Sequence, residues 1–548
     1  MSRTHSIASL TAATLLAFAI PADAQAQGER TPGGVVGPIT MLMPDWPEMM
    51  EMARLLKPNW EKLGVTVNVQ HAQLNSMVAQ TTGEHRAPHI SVTGWGGGAD
   101  RIDPDFFLSE FFHSKRSVKG GQNYGQYVNP EYDKLVDAQR AEMDNAKRHQ
   151  LVKQAQQMLY RDRPGLVLYY IDYVTPYRTD RIDGASSVMG NGTSLSYIPW
   201  TYYDGKVKKG RPIVKTLTQY DITTLNPFAT GEVTNSALLR WVYAPLVMRD
   251  KNMNLIPWAA ESWKVVDPKT VEVTIRPGIK FTDGQPVTAA DLKFTLDFIN
   301  QWKFPSYARY TDNIGQVDQA NDRTVRIQLK QPYAPFVANI LGSAFIAPKH
   351  VWEGVMAKNP ALKSPTEWPN AEPVGSGPYA LSEWKKGEYI KFTANKQWYR
   401  APGFNEVYWL IVPSVDSQLG MLESGSADLM AWNLTPSQMQ RLKANKDISA
   451  PPAPSHAPRE ARFNITLPPF DDVNMRKAFS MTVDRKQLVN TLLDGAATPG
   501  NDAYISPKLD WSDTTIKVPE FDLGGARKML QAAGYTWDAT GKLHYPAK

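Results

Sequence analysis

The amino-acid sequence predicts an α/β protein made of several compact units. The chain has 548 residues, of which 42% are apolar and 21% charged, so it can bury enough apolar surface to offset the entropy lost on folding. In its first third, short apolar strands alternate with amphipathic helices, which is the pattern of an α/β unit. At about 150 residues per domain, the length allows three or four domains or two large lobes.

The first elements follow a β-α-β pattern. Residues 39–43 form an apolar, strand-like run, and residues 48–62 carry apolar side chains at the spacing of one helix face. Residues 65–69 then alternate apolar and polar side chains, as a strand does. We therefore predict a strand, a helix and a second strand in this order.

A further strand and two helices follow. The strand is expected at residues 89–93 and leads into the glycine-rich turn 94–98. Asn129, which is followed by proline, and Asp144 are both suited to cap the start of a helix. Residues 166–171 are apolar throughout, which predicts another strand.

The second part of the chain has longer strands and tighter turns. The polar segment 205–212 is expected to be a linker. Beyond it, residues 271–275 and 325–329 alternate as strands do, and residues 291–302 form a capped amphipathic helix. Residues 379–398 are expected to form strands around a Lys-Gly turn.

The N-terminal residues carry the pattern of a secretory signal peptide. Arg3 and His5 precede an apolar run over residues 7–20, and small residues at positions 22, 24 and 26 fit signal-peptidase cleavage. We predict that residues 1–26 are a cleaved signal peptide and that the mature chain works outside the cytoplasmic membrane; a buried N-terminal helix is the alternative. Because the sequence has no cysteine, we expect a free protein rather than a lipoprotein.

Composition argues against several classes of chemistry. Without cysteine, the chain has no thiol nucleophile, disulfide, cysteine-bound zinc or iron–sulfur cluster. The formal net charge of +6 is spread along the chain without a basic block. Nucleic-acid binding therefore has little support, and we expect no such partner.

No catalytic or metal-binding motif stands out. The chain lacks a nucleophile elbow, a phosphate-binding loop and a zincin motif. His85 and His89 have the spacing of helical metal ligands, but Pro88 lies between them, and we interpret them as surface or structural residues. We predict no cofactor, no metal and no enzymatic activity; a secreted hydrolase that uses Asp100 and Asp103 is the alternative.

Trp95 is the aromatic residue best suited to bind a ligand. The chain has 16 Trp and 23 Tyr, most of which we expect to pack in cores. Trp95 has a glycine on each side, so the backbone can approach a ligand closely, and it follows the end of a strand, where α/β sheets bind ligands. We predict that its ring contacts the ligand.

A set of short motifs is spread over the chain from residue 243 onward. They are Tyr-Ala-Pro-Leu-Val at 243–247, Glu-Ser-Trp at 261–263, Lys-Phe-Thr-Asp-Gly at 280–284, Thr-Ala-Ala-Asp at 288–291, Gly-Ser-Gly-Pro-Tyr at 375–379, Pro-Pro-Phe-Asp-Asp at 468–472 and an Ala-Gly-Tyr helix at 526–535. Together they resemble the family 5 extracellular solute-binding proteins, the receptors for ABC importers of peptides, nickel chelates, opines and some sugars.

The order of the segments differs from that family. Residues 37–204, which include Trp95, resemble segments that would normally follow Lys548. We interpret the chain as circularly permuted, with residues 205–212 joining what are elsewhere the two ends. A fusion of unrelated halves is the alternative.

The resemblance implies a two-lobed periplasmic-binding-protein (Venus flytrap) fold of the large class, which has an extra subdomain. Its lobes close on a ligand about a hinge. We expect residues 172–372 to form the first lobe with the extra subdomain. Residues 37–171 and 373–548 would form the second lobe, so that both chain ends lie in one lobe.

The function that the resemblance implies is that of a periplasmic substrate-binding component of an ABC importer. Such a receptor captures a peptide or peptide-like solute and delivers it to an inner-membrane permease and its ATPase, and we expect a monomer. A non-peptide ligand, such as an opine, an oligosaccharide, an aromatic compound or a metal chelate, is the alternative.

The resemblance also implies where the ligand binds. In peptide-binding relatives, an aspartate three residues after the cleft tryptophan holds the α-ammonium group; that position is Gly98 here, and the nearest acids are Asp100 and Asp103. Asp100 either takes over this role or the ligand has no free amine. The remaining candidate contacts are Arg101, Tyr124, Tyr220, Glu232 and Ser236.

Overall fold

Two large β-sheets and a smaller third sheet organise the chain. The computed structural model describes residues 30–83, 88–98, 101–195, 198–229, 233–304, 307, 311 and 313–548. The predicted signal peptide, residues 1–26, lies outside the described residues. None of the helices in the described part of the chain combines the length and the hydrophobicity that crossing a bilayer requires.

The strands of the described residues include all those that the sequence predicts. In chain order they are β1 Ile39–Pro44, β2 Val67–Ala72, β3 Ile90–Gly94, β4 Gly165–Ile171, β5 Tyr173–Val174, β6 Tyr177–Arg178, β7 Ile182–Asp183, β8 Lys206–Val207, β9 Ile213–Thr218, β10 Val247–Arg249, β11 Leu255–Pro257, β12 Ala260–Asp267, β13 Thr270–Ile275, β14 Ile314–Gln319, β15 Thr324–Leu329, β16 Tyr379–Lys385, β17 Tyr389–Ala394, β18 Glu406–Ile411, β19 Leu429–Met430, β20 Ile448–Ser449, β21 Pro452–Ala453, β22 Pro458–Phe463, β23 Ala497–Pro499, β24 Thr536–Trp537 and β25 Leu543–His544.

The helices alternate with these strands. The α-helices span Pro47–Glu61, Leu74–Thr82, Pro130–Ala141, Asn145–Asp162, Trp200–Asp204, Val233–Val242, Ala289–Trp302, Lys349–Trp352, Val355–Lys358, Val415–Glu423, Pro436–Leu442, Val473–Met481, Arg485–Leu493 and Leu523–Ala532. Short π-helical turns lie at Phe106–Glu110 and Val337–Leu341, and 3-10 turns lie at Ser114–Arg116 and Pro365–Glu367.

Side-chain caps explain where the predicted helices begin. The Asn129 side chain accepts hydrogen bonds from the backbone N–H groups of Glu131 and Tyr132, at 3.0 and 3.3 Å. Asp144 accepts one from the backbone of the next helix's first turn at 2.9 Å, and Asp291 accepts one from the backbone N–H of Thr288 at 2.9 Å. These bonds satisfy donors that the helix itself leaves free, which confirms the predicted starts.

The six-stranded sheet has the order β2-β1-β3-β22-β4-β23. β1 runs parallel to β2 and β3, and β22 lies antiparallel between β3 and β4. Every residue of β4 is buried, with Leu166 and Leu168 in one apolar cluster and Val167 and Tyr170 in another. Its uninterrupted apolar sequence therefore follows from burial on both faces of the sheet.

The seven-stranded sheet has the order β16-β17-β18-β9-β19-β6-β20. β18 pairs with β9 in parallel from Glu406–Ile213 to Ile411–Thr218, and β19 pairs in parallel with the other side of β9. The helix Ala289–Trp302 packs against a separate four-stranded antiparallel sheet with the order β12-β13-β15-β14.

Sheet membership corrects the expected lobe boundary at residue 372. Residues 379–449 contribute β16 to β20, and β18 and β19 are hydrogen-bonded directly to β9. They therefore belong with residues 177–372, and the six-stranded sheet takes residues 30–171 and 458–548. The sequence motif at 375–379 does not mark this boundary, because pairing between distant strands is set by tertiary contacts.

Two segments of the described chain pass between the large sheets. One runs from β4 to β6 and the other from β20 to β22. They pair with each other through the antiparallel strands β5 and β21, where Tyr173 lies opposite Ala453 and Val174 opposite Pro452. We call these paired segments the hinge, residues 172–176 and 450–457.

The N-terminal and C-terminal segments of the described chain lie side by side in the six-stranded lobe. The backbone N–H of Val36 donates to the carbonyl of Leu543 at 2.8 Å, and that of Gly33 donates to Pro546 at 3.1 Å. These two segments of the described chain therefore lie in one lobe. Within the expected linker 205–212, β8 pairs with β7. Both strands belong to the lobe of the seven-stranded sheet, so this segment connects elements within that lobe.

Candidate functional site

Trp95 lies at the carboxyl end of β3, as predicted. Its backbone N–H donates to the carbonyl of Pro458 at 3.1 Å, and its indole Nε1 donates to Glu460 Oε1 at 2.8 Å. A side chain at Gly97 would place its Cβ 2.3 Å from the carbonyl oxygen of Gly190 in the other lobe. Glycine at this position therefore lets the loop after Trp95 approach the opposite lobe.

A buried ion pair supports Trp95 from beneath. The Nη2 and Nε atoms of Arg462 contact the two carboxylate oxygens of Glu460 at 2.6 and 2.9 Å, and both residues are buried. Burial by itself disfavours the charged guanidinium, but Glu460 outweighs this effect and raises the pKa of Arg462. Arg462 thus fixes the position of Glu460 as the acceptor for the tryptophan N–H.

Aromatic rings and one guanidinium surround the Trp95 ring. The ring centres of Phe111 and Phe106 lie 4.8 and 5.8 Å from that of Trp95. The Arg101 guanidinium carbon lies 5.3 Å from the Trp95 ring centre, and Arg101 Nη1 donates to the carbonyl of Gly96 at 2.8 Å. Arg101 Nε is buried and has no hydrogen-bond partner among the described residues, so this cation retains capacity to bind an anion.

Asp103 is not a free ligand-binding carboxylate, which corrects its place among the candidates. Arg148 Nη1 and Nη2 contact its two oxygens at 2.9 and 2.6 Å, and the backbone N–H of Asp105 donates to it at 2.9 Å. Although burial opposes ionisation, these partners hold the pKa of Asp103 below its usual range. Asp103 therefore stabilises the loop after Trp95 as part of a buried ion pair.

The other candidates on the six-stranded lobe have mixed outcomes. Asp100 lies outside the described residues. Tyr124 is buried, its hydroxyl donates to Gln122, and its ring centre lies 4.5 Å from the Arg462 guanidinium. Burial raises the pKa of Tyr124. Tyr124 thus packs beneath the site, beside Arg462, and does not form part of its exposed surface.

Tyr220 lies on the seven-stranded lobe together with a residue that the sequence analysis missed. Its ring is 5.5 Å from that of Trp432, edge to face, and the two side chains are 54% and 38% exposed. They follow the carboxyl ends of the parallel strands β9 and β19. This edge of an α/β sheet is where ligands bind, and exposed large aromatic side chains mark binding surfaces.

The remaining candidates of this lobe contribute less. Glu232 lies outside the described residues, and Ser236 is half-buried on the helix Val233–Val242. Asp221, next to Tyr220, accepts hydrogen bonds from Trp384 Nε1 at 2.9 Å and from the backbone N–H of Gly387 at 2.8 Å. Through these two bonds, Asp221 holds the β16–β17 hairpin beside the aromatic pair.

The hinge connects the two aromatic groups. The backbone N–H of Gly97 donates to the Tyr173 hydroxyl at 3.1 Å. On the other side, Asn433 Oδ1 accepts from the backbone N–H of Val174 at 2.5 Å, and Asn433 follows Trp432 in sequence. We call Trp95, Arg101, Tyr220 and Trp432, with the hinge between them, the cleft site.

A separate groove of about 620 Å³ lies on the seven-stranded lobe. It is lined by the turn at Thr282 and Asp283, by residues 369 and 371–374, and by residues 381–384 of β16. Three of its lining residues, Asp283, Glu372 and Glu383, are acidic. It therefore extends alongside the hairpin that Asp221 holds.

Of the two histidines considered as metal ligands, the structure describes His89. His85 lies outside the described residues. His89 is buried, its Nδ1 accepts from the backbone N–H of Thr40 at 3.1 Å, and burial lowers its pKa to about 4. In the part of the chain that the structure describes, no group of three or more His, Asp or Glu side chains is arranged to hold a metal ion.

Comparison with known proteins identifies relatives of this chain. Residues 254–548 match the model of the bacterial extracellular solute-binding proteins, family 5 middle region. The glutathione-binding protein GsiB of Escherichia coli strain K12 is 30% identical over 320 residues, which are 58% of this chain and 60% of GsiB. GsiB of Salmonella typhimurium is 29% identical over 323 residues, with the same coverage. The chain thus spans about 60% of the length of the curated relatives that it matches.

Solved structures share the fold. The ABC transporter substrate-binding protein CtaP of Listeria monocytogenes has a TM-score of 0.50 at 22% identity, covering 60% of this chain and 66% of CtaP. NikA of Brucella suis, in complex with Fe(III)-EDTA, has a TM-score of 0.50 at 22% identity, covering 61% of this chain and 67% of NikA.

Because the family model matches more than half of the chain, this protein belongs to the bacterial extracellular solute-binding proteins of family 5.

Proposed function

We propose that this protein is the substrate-binding component of an ABC importer, which captures a peptide or peptide-like solute in the cleft site. The observation that carries the proposal is the pair of exposed or half-buried aromatic groups on two lobes, Trp95 on one and Tyr220 with Trp432 on the other. Aromatic surfaces that lie at the carboxyl ends of strands bury the apolar parts of a ligand.

Hinge motion would bring these groups together on the ligand. The lobes are linked by two segments that pair over β5 and β21, and so few connections permit rotation of one lobe against the other. Closure would expel water from the ligand and strengthen its polar contacts.

A peptide or peptide-like ligand agrees with the chemistry of the cleft site. Arg101 is stacked on Trp95 and has a buried Nε atom without a partner among the described residues, so it suits a ligand carboxylate. The curated relatives are called glutathione-binding proteins, which favours a short peptide-like solute over an oligosaccharide or a metal chelate.

The alternative of a secreted hydrolase has less support. It requires Asp100 and Asp103 as an acid and a base, but Asp103 is held ionised in a buried pair with Arg148. A carboxylate in that state neither donates a proton nor approaches a substrate. The receptor would instead hand its ligand unchanged to an inner-membrane permease coupled to an ATPase.

A thermal-shift assay with a tripeptide pool that includes glutathione tests the proposal. Ligand at 100 times its Kd stabilises a protein by about 2.7 kcal/mol, so we expect a rise in the unfolding midpoint without any change in the mass of the peptides. The double variant Trp95→Ala, Trp432→Ala serves as the control and should lose the rise. Release of cleaved products, or an equal rise in the double variant, would contradict the proposal.

We also propose that the protein is periplasmic and works as a monomer. N-terminal sequencing of the protein from a periplasmic extract is expected to begin at Gln25 or Gln27, after the predicted signal peptide. Light scattering of the purified protein is expected to give the mass of one chain. A full-length N-terminus or a dimer mass would contradict the respective part of this proposal.

A further inference from the structure

The linker 205–212 carries a concentration of positive charge. From residue 205 to residue 215 the chain has five basic residues and no acidic one. They are not consecutive, so the sequence shows no continuous basic block. Four of them lie within the linker, and all four are exposed: Lys206, Lys208, Lys209 and Arg211. We call these four side chains the basic patch.

The structure holds the linker in a defined position. Its strand β8 pairs with β7 in an antiparallel hairpin. The backbone N–H of Lys208 donates to the carbonyl of Arg181 at 2.8 Å, and Arg181 Nη1 donates to the carbonyl of Lys209 at 2.8 Å. Gly210 then has a φ of +89°, which glycine adopts without strain. The basic patch therefore lies on ordered backbone.

The acidic side chains of this hairpin leave most of the charge uncompensated. None of the four patch residues has an ion-pair partner in the part of the chain that the structure describes. Asp183 is exposed and lies opposite Lys206. Asp204, just before the linker, already has Arg400 and, at 3.1 Å, Lys251 as partners. Four positive charges thus face one unpaired carboxylate on the hairpin.

The basic patch lies at the opposite end of β9 from the cleft site. The linker ends immediately before β9, whereas Tyr220 follows the carboxyl end of that strand. The six residues of β9 span about 20 Å. A partner bound to the patch would contact the lobe of the seven-stranded sheet and leave the hinge and the cleft site free.

The composition of the basic patch fits a surface of mobile anions better than a shaped binding site. Three of its four residues are lysines, which carry a point charge on a flexible stem. Lysine is depleted in protein–protein interfaces, where aromatic residues and arginine are enriched. The linker has no aromatic residue on which a nucleic-acid base could stack. Clusters of about four to eight basic residues are typical of segments that bind anionic lipids.

We propose that the basic patch binds the anionic headgroups of a membrane surface and so holds the protein close to the bilayer. The inference goes beyond the proposed function, because it concerns a surface outside the cleft site. Each basic residue close to an anionic bilayer raises the affinity about fivefold, so four of them give weak and reversible binding. Salt opposes this binding, because it screens exposed charges beyond about 10 Å at 0.1 M.

Flotation with lipid vesicles tests the proposal. We expect the wild-type protein to float at low salt with vesicles of phosphatidylglycerol and phosphatidylcholine, and to be released by about 0.5 M sodium chloride. It should not float with vesicles of phosphatidylcholine alone. The quadruple variant Lys206→Gln, Lys208→Gln, Lys209→Gln, Arg211→Gln should bind the mixed vesicles at least about tenfold more weakly.

The matched control changes four exposed lysines of the six-stranded lobe. It is the quadruple variant Lys134→Gln, Lys147→Gln, Lys486→Gln, Lys528→Gln. Because it lowers the net charge by the same amount, it should keep its vesicle affinity within about threefold if the patch, and not the total charge, binds lipid. Both variants should unfold at the wild-type midpoint, since the replaced side chains are exposed.

Three outcomes decide the proposal. Equal binding of both kinds of vesicle by the wild type, or equal losses in the two quadruple variants, overturns it. Binding to a polyglutamate peptide without binding to the mixed vesicles also overturns it and assigns the patch to an acidic protein. Vesicle binding by a wild-type protein that shows no thermal shift with tripeptides supports this inference and contradicts the proposed function.

Discussion

Trp95 and the Tyr220–Trp432 pair lie on opposite lobes and are held in different ways. Trp95 donates to the buried Glu460 at 2.8 Å and packs against Phe111 at 4.8 Å. Tyr220 and Trp432 are 54% and 38% exposed, and their ring centres lie 5.5 Å apart. In the proposed cleft site, the six-stranded lobe would thus offer a preorganised contact surface, whereas the aromatic pair on the other lobe would be able to adjust to the ligand.

Removing the buried ion pair beneath Trp95 should have the largest effect on stability. Glu460→Gln keeps the size of the side chain but leaves Arg462 buried without its counter-ion. We expect the free energy of unfolding, measured by urea denaturation, to fall by ~3–5 kcal/mol. The matched control is Glu423→Gln, which removes the partly exposed ion pair with Arg441 and should cost at most ~1 kcal/mol. Equal losses in the two variants would contradict the comparison.

Acidification should weaken the same lobe through His89, which immediately precedes β3. Burial lowers the pKa of His89 from 6.5 to about 4, so the unfolded chain binds the proton first as the pH falls. The neutral His89 therefore contributes fully to the free energy of unfolding above pH 6.5. As the pH falls from 6.5 to 4, this contribution is lost, and the free energy of unfolding decreases by about 3 kcal/mol in total.

Urea denaturation across this pH range checks the His89 prediction. His89→Asn provides an acceptor for the Thr40 N–H without a titrating ring, so its stability should fall less steeply than that of the wild type. Parallel pH curves for the two proteins would show that His89 does not contribute.

Truncating Tyr220 or Trp432 should weaken ligand binding and leave the stability of the fold unchanged. Trp432→Ala and Tyr220→Ala each remove a stacking contact, which is worth ~0.5–1.5 kcal/mol, so affinity for the tripeptide pool should fall about two- to tenfold. Trp95→Ala should lower the unfolding midpoint as well, because it removes a donor to Glu460. Phe521→Ala, which changes a residue that is 41% exposed, serves as the control. An equal loss of midpoint for Trp432→Ala and Trp95→Ala would remove the distinction between the lobes.

Reordering the chain should have the smallest effect. We propose that the chain is circularly permuted relative to its family, because family-like motifs occur in a shifted order and the two terminal segments pair at Val36 and Leu543. A chain that starts at Lys209, joins Lys548 to Arg30 by a short glycine-serine linker and ends at Lys208 keeps both aromatic groups on their lobes. Its unfolding midpoint and affinity should match the wild type.

The matched control for reordering opens the chain within β4 instead. Every residue of β4 is buried, so this permutant should not fold. Failure of the first permutant, with its cut in an exposed connection, would count against the permutation hypothesis.

Local patterns in the sequence predicted the elements and the position of Trp95, which the proposed cleft site includes. Glycines around Trp95 and its place after an apolar strand sufficed to single it out. Trp432 escaped notice, because β19 has two residues and gives no periodic signal. Asp103 was misjudged since its partner, Arg148, lies 45 residues away in sequence.

The sequence by itself determined the α/β class, the helix starts and the family resemblance, because these depend on side-chain periodicity, capping residues and short motifs. Only the tertiary structure decided that residues 379–449 join β9, that the two ends of the described chain meet, and that Arg148 pairs with the buried Asp103. These features arise from strand register and burial between residues far apart in the chain, and local sequence patterns do not encode such distances.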